Sequence, residues 1–159
     1  MVGATSKELL FLAGAFRSSR KWEGRACLVR ILLADDNATV RHFLRGLLEQ
    51  QDAWRVCGEA RTGVEALDRI RENPPDVVLL DFQMPDMNGI DTARQISLLF
   101  PEIPILMVTI HLSQQLTEEA RRAGIRGVCC KSDVGSIIGA VDAVLHHQTY
   151  FPQGAAAGQ

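Results

Sequence analysis

Asp81 ends the apolar run Val77-Val78-Leu79-Leu80 and is followed at once by the loop Phe82-Gln83-Met84-Pro85-Asp86-Met87-Asn88-Gly89. A carboxylate at the carboxyl mouth of a buried strand is there for chemistry, because packing alone would not select it. Three further apolar runs end in the same way. Ile31-Leu32-Leu33-Ala34 leads into Asp35-Asp36, Ile105-Leu106-Met107-Val108 into Thr109, and Gly127-Val128-Cys129-Cys130 into Lys131. Three acids, one hydroxyl and one ammonium thus share the ends of four strands. Clustered carboxylates repel by on the order of 4 kcal/mol per close pair at an effective dielectric of about 20, so a cation belongs among them. Mg²⁺ prefers oxygen ligands and keeps several waters, so a few carboxylates suffice to hold it. The set suits a divalent cation beside a carboxylate that takes up a phosphoryl group. Taken singly, each residue has an ordinary reading. Asp35 or Asp36 could cap a helix, Thr109 could be a plain strand residue, and Lys131 a solvated strand end.

The elements that must position these groups alternate along the chain. After Asp36, with Asn37 as N-cap, Val40, Phe43, Leu44, Leu47 and Leu48 keep the spacing of a core-facing helix. Trp54 to Glu59 alternates apolar and polar residues, as an edge strand does. Thr62-Gly63-Val64-Glu65 has capping-box form and opens a short helix through Ile70. Pro74-Pro75 precedes the Asp81 strand, and Gly89 or its predecessor starts a helix carrying Ile90, Ala93 and Ile96. Pro101 and Pro104 bracket the turn into the Thr109 strand. The helix expected over Gln114 to Ala123 has only Leu116, Ala120 and Ala123 on its apolar side, which makes it the least firmly anchored. Ile137, Ile138, Val141, Val144 and Leu145 pattern the last helix strongly. Five βα units with right-handed crossovers predict a parallel sheet sandwiched between helices, with the site at the carboxyl strand ends.

Composition agrees with one such domain. The chain has 159 residues, 47% hydrophobic and 23% charged. The net charge of −2 conceals an asymmetry, because residues 1–30 hold six Lys/Arg and two Glu, or +4, which leaves −6 for residues 31–159. The acidic part lacks the basic footprint of a nucleic-acid binder. Cys27, Cys57, Cys129 and Cys130 have no metal spacing and read as buried, reduced thiols of a cytoplasmic protein. No apolar run reaches the ~18–20 residues that crossing a bilayer requires. Residues 1–28 read as an extension, flexible or preceding the true start, that contributes little to the fold. Its apolar stretch is short and interrupted by Glu8, which argues against an export signal.

Order, spacing and strand-end positions together resemble the receiver domain of two-component response regulators over about residues 29–150. The matching residues are Asp35-Asp36, Asp81 with Met84-Pro85 and Gly89, then Thr109 and Lys131. Gly58-Glu59-Ala60, Thr109-Ile110-His111 and Ala123-Gly124 before Gly127 look most like the branch that usually carries a C-terminal LuxR/NarL-type helix-turn-helix. The resemblance implies a flavodoxin-like (βα)5 doubly wound parallel sheet of strand order 2-1-3-4-5. It implies phosphoryl transfer from a sensor histidine kinase to Asp81. Mg²⁺, replaceable by Mn²⁺, would be held by Asp35, Asp36, Asp81 and the backbone carbonyl of Gln83. Thr109 and Lys131 would contact the phosphate. It further implies a switched protein-interaction surface, with homodimerisation through the last helix or the 109–131 face, and no catalysis beyond the domain's own phosphorylation and dephosphorylation.

Some residues depart from the family pattern or stand where they tune it. Ile110 replaces a small residue after the threonine, and its bulk restricts entry. Val128 stands where many receivers carry an aromatic that rotates on activation, and Ser132 replaces a frequent proline. Gln83, Ile110, His111 and Val128 are therefore candidate tuning positions. Other functions fit less well. A haloacid-dehalogenase-type phosphatase places a second aspartate where Gln83 stands, and a flavin domain wants a Gly/Ser/Thr-rich loop where Asp35-Asp36-Asn37 lies. The alternative, a pseudo-receiver or adaptor acting by binding alone, usually lacks one of the key residues, and here all are present. Residues 151–159 read as a short tail with no output domain, so direct nucleic-acid binding and membrane association are not expected of this chain.

Overall fold

The computed structural model of the chain describes residues 28–152. Expectations for the extension, including Cys27 and the signal-like stretch, and for the tail beyond Pro152 lie outside the described residues.

Five strands form one parallel sheet in the order β2-β1-β3-β4-β5. They are β1 (Val29–Ala34), β2 (Trp54–Ala60), β3 (Val77–Leu80), β4 (Ile105–Thr109) and β5 (Gly127–Cys130). The intervening and final helices are α1 (Ala38–Leu48), α2 (Gly63–Glu72), α3 (Gly89–Leu99), α4 (Gln114–Arg122) and α5 (Val134–Leu145). The expected fold and strand order are the ones observed. The order reverses between β1 and β3, which is where a crevice opens at the carboxyl ends of such a sheet.

The central strands are apolar over Ile31–Ala34, Val77–Leu80 and Ile105–Val108 because each face of the sheet has its own core. Ile31, Leu33, Val77, Leu79, Val108 and Cys129 pack with Leu44 and Leu48 of α1 and with Ile137, Val141 and Val144 of α5. Leu32, Ala34, Val78, Leu80, Met107 and Val128 point the other way, toward α2, α3 and α4. Strand alternation thus sends neighbouring residues to opposite cores. Burial in the first of these cores pushes the Cys129 thiol up to about 12, so it stays protonated.

Helix starts follow their capping residues. Asn37 accepts from the amides of Thr39 and Val40, Thr62 from Glu65, Asn88 from Asp91 and Ser113 from Leu116. In α2 the Glu65 carboxylate reaches back to the Arg61 amide at 2.8 Å, completing a variant of the expected capping box. As expected, α4 buries only Leu116 and Ala120 from its own span, with Ala123 buried as its C-cap.

Two points differ from the sequence reading. Phe43 was expected in the core but is 49% exposed, and Arg41 is buried instead. The α1 stripe therefore runs Arg41, Leu44, Leu48, which keeps helical spacing but takes a charged residue inward. The second point is the segment after α5. Tyr150 pairs in parallel with Gly127, exchanging backbone hydrogen bonds with Val128 and Arg126 at 2.8 and 2.9 Å. This covers the outer edge of β5, and the Arg121 guanidinium of α4 lies 3.7 Å from the centre of the Phe151 ring.

Candidate functional site

The site lies at the carboxyl ends of β1, β3, β4 and β5, and each residue is carried there by its strand. The Asp81 amide donates to the Ala34 carbonyl at 2.8 Å, and the Lys131 amide to the Thr109 carbonyl at 2.9 Å, so the sheet ladder continues into the site. Asp35 is tied on its other side, its amide donating to the Ala60 carbonyl at 3.0 Å. The loop after Asp81 returns tightly, with the Gly89 amide donating to the Phe82 carbonyl at 2.8 Å. A side chain at Gly89 would run into the Asp81 carbonyl, so only glycine lets α3 begin this close to the acid.

One carboxylate oxygen from each of Asp35, Asp36 and Asp81 lies within 4.8 Å of the others. Asp35 and Asp81 are buried, at 2% and 7% exposure, whereas Asp36 faces solvent. The Lys131 ammonium bridges the two buried acids, 2.5 Å from Asp35 Oδ2 and 3.1 Å from Asp81 Oδ1. The other Asp35 oxygen accepts from the Asn37 amide at 2.8 Å. Burial, and then the charge of Asp35, hold the Asp81 carboxyl above its usual range, with Lys131 opposing both. For Lys131 burial works downward, but its bonds and attraction to Asp35 and Asp81 outweigh it and keep the ammonium above the usual lysine range.

These groups share one cleft of about 400 Å³. Asp35, Asp36, Asp81, Thr109 and Lys131 line it, and so do Gln83, Ile110 and His111. Ile110 is 63% exposed at its rim. Val128 is not in the cleft. It is fully buried in the core shared with α4, opposite Met107, so any influence it has must pass through packing. Leu116 and Glu119 of α4 also line the cleft, which places the weakly anchored helix in direct contact with the site.

A family model described as the response regulator receiver domain matches residues 31–142. The chain belongs to that family. Among solved structures it is similar to a LuxR-family two-component response regulator from Aurantimonas sp. SI85-9A1, at 32% identity and TM-score 0.75, covering 77% of this chain and 89% of that one. It is similar also to the signal receiver domain of the response regulator NarL from Mycobacterium tuberculosis, at 28% identity and TM-score 0.72, covering 76% and 98%. Among curated proteins, the response regulator UvrY of Escherichia coli K12 is 32% identical over 124 residues, covering 77% of this chain and 57% of UvrY. The protein-glutamate methylesterase/protein-glutamine glutaminase of Pyrococcus abyssi is 38% identical over 100 residues, covering 63% of this chain and 26% of the relative. The chain therefore spans between about a quarter and somewhat over half of these two curated relatives. For a receiver domain of this family, a reading by binding alone is not favoured. No helix among the described residues is long and apolar enough to cross a membrane.

Sequence reasoning missed two residues beside the receiver site. The Arg41 guanidinium donates to the Asp35 carbonyl at 2.7 Å through Nη1 and to Glu59 Oε2 at 2.8 Å through Nε. Arg45 grips the other Glu59 oxygen at 2.7 Å. Burial works to raise the Glu59 carboxyl, but the bonds from Arg41 and then Arg45 outweigh it and hold the group below the usual range. The available signal was the i, i+3, i+7 relation of Arg41 to Leu44 and Leu48.

Proposed function

We propose that the chain accepts one phosphoryl group on Asp81, supported by a divalent cation, and thereby switches a protein-interaction surface. The observation that carries this reading is the Lys131 ammonium bound between Asp35 and Asp81, beside the exposed Asp36 carboxylate. The donor set fits Mg²⁺, because all three side chains offer hard oxygens and the solvent-facing Asp36 leaves room for retained waters. Asp35, Asp36, Asp81 and the Gln83 carbonyl would hold it, and Mn²⁺ shares the same ligand preference. When bound, the cation supplies positive charge against the phosphoryl oxygens.

The residues of the chain account for the rest. An Asp81 oxygen attacks phosphorus as the bond to the donor's imidazole nitrogen breaks, and the departing imidazole takes up a proton from solvent. Burial makes the Asp81 oxygen more basic, while Lys131 keeps the ionised form available and then neutralises a phosphoryl oxygen. The Thr109 hydroxyl donates to another phosphoryl oxygen once it is present. Such transfer needs positioning and charge neutralisation rather than new covalent chemistry.

The donor in this reading is a sensor histidine kinase, and the compartment is the cytoplasm. The regulators named among the relatives support a link to transcription, exercised by whatever this domain contacts, with homodimerisation through α5 or the 109–131 face. Neither nucleic acid nor membrane is a partner of the receiver itself. Intact-mass measurement with acetyl phosphate tests the central step. Wild type gains one phosphoryl group only with Mg²⁺ or Mn²⁺ present, and Asp81→Asn gains none. Equal labelling of the two proteins would reject Asp81 as the acceptor.

A further inference from the structure

Asp35 and Asp36 are adjacent, and the peptide joining them sets the direction of both side chains. Its nitrogen belongs to Asp36, which is exposed at the cleft. Its oxygen is the Asp35 carbonyl, held by the buried Arg41 guanidinium at 2.7 Å. On the near side the Asp35 amide is locked to Ala60 of β2 at 3.0 Å. Asp35 is also held through its side chain by the Asn37 amide and Lys131, and the carbonyl is the handle on the Asp35–Asp36 peptide itself. The same guanidinium also meets Glu59 through Nε, and Glu59 receives Arg45 on its other oxygen, while the bond to the Asp35 carbonyl is made through a separate nitrogen. Glu59 and Ala60 are neighbours on β2, so one stretch of that strand anchors both ends of the Asp35 backbone.

We propose that Arg41 is a positioning residue for cation binding: by gripping the Asp35–Asp36 peptide carbonyl it fixes the direction in which the two carboxylates face the cation. This rests on the Mg²⁺ reading above. The planar guanidinium spans two acceptors at once, which a lysine ammonium at the same place cannot reproduce. Groups that orient metal-binding carboxylates typically change affinity by about ten- to a hundredfold when removed.

The competing account makes Arg41 a strut between α1 and β2, and the test separates the two. Mg²⁺ binding is measured by calorimetry on the full chain for wild type, Arg41→Lys, Arg41→Met and Glu59→Gln, alongside thermal midpoints. Glu59→Gln removes the ion pair between the two elements but leaves Arg41 free to hold the carbonyl. Positioning predicts that both Arg41 variants raise the Mg²⁺ Kd about tenfold or more. Glu59→Gln then keeps the wild-type Kd despite a lower midpoint. At saturating Mg²⁺, acetyl phosphate labelling of Arg41→Lys returns to the wild-type rate, because binding was impaired and transfer was not. An unchanged Kd in Arg41→Lys, or a Kd that tracks the midpoint across all variants including Glu59→Gln, overturns the proposal in favour of the strut. Absence of Mg²⁺ binding by wild type would sink the metal reading itself, and the inference with it.

Discussion

Replacing Lys131 with methionine keeps the apolar stem and deletes the one charge bridging Asp35 and Asp81. Both acids are buried, and their nearest carboxylate oxygens lie within 4.8 Å. At that separation and an effective dielectric of about 20, two ionised carboxylates repel by about 3.5 kcal/mol. The protein can avoid this by protonating Asp81, at about 1.4 kcal/mol for each pH unit above an ordinary carboxylate pKa of about 3.9. That route costs about 5.6 kcal/mol at pH 8 and about 1.5 kcal/mol at pH 5, so the repulsion is endured at pH 8 and relieved at pH 5. The expected destabilisation of Lys131→Met is therefore ~3.5 kcal/mol at pH 8 and ~1.5 kcal/mol at pH 5. The sign follows from Asp81, whose folded pKa is already raised. Such an acid favours the folded state below the ordinary carboxylate range, and that contribution fades as pH rises through the raised value. The Lys131 pKa is raised as well, so the pairing it provides in wild type is lost only above the usual lysine range, outside this window. Urea unfolding at the two pH values, with and without Mg²⁺, measures the difference, and added Mg²⁺ is expected to restore most of the stability at pH 8. Equal losses at both pH values, untouched by Mg²⁺, would refute the electrostatic account and leave only a packing effect.

Two further outcomes follow from the same structure. Glu59 has a lowered folded pKa, so its ion pairs stabilise above the ordinary glutamate range and that contribution is lost as pH falls through the lowered value. Glu59→Gln should cost about 1 kcal/mol at pH 7 and progressively less as pH falls through the lowered value, as read from urea midpoints. Phosphorylation should change hydrogen exchange across residues 109–131, because α4 lines the cleft, buries little of itself, and is tied at its far end where Ser97 Oγ donates to the Ala123 carbonyl at 3.0 Å. Changes confined to the neighbourhood of Asp81 would place the switched surface elsewhere.

The strand ends were legible in the sequence because a parallel sheet covered on both faces writes itself as uninterrupted apolar runs. Anything polar at the end of such a run stands out, as Asp35, Asp81, Thr109 and Lys131 do. The capping residues Asn37 and Thr62 were legible for a similar reason, since their chemistry is local. Arg41 was not, because periodicity assigns apolar residues inward and charged ones outward, and so it favoured Phe43. The inversion has a tertiary cause. A guanidinium can be buried where acceptors meet its buried donors, and those acceptors, the Asp35 carbonyl and Glu59, come from the end of β1 and from β2 rather than from the helix. The Tyr150 bridge to Gly127 was hidden in the same way, because a single residue pairing on a sheet edge has no periodicity to read. Groups that perform chemistry at strand ends are thus visible one strand at a time, whereas the groups that aim them depend on contacts between strands. Arg41 belongs to the second kind, and only the fold could bring it to the carbonyl between the two acids.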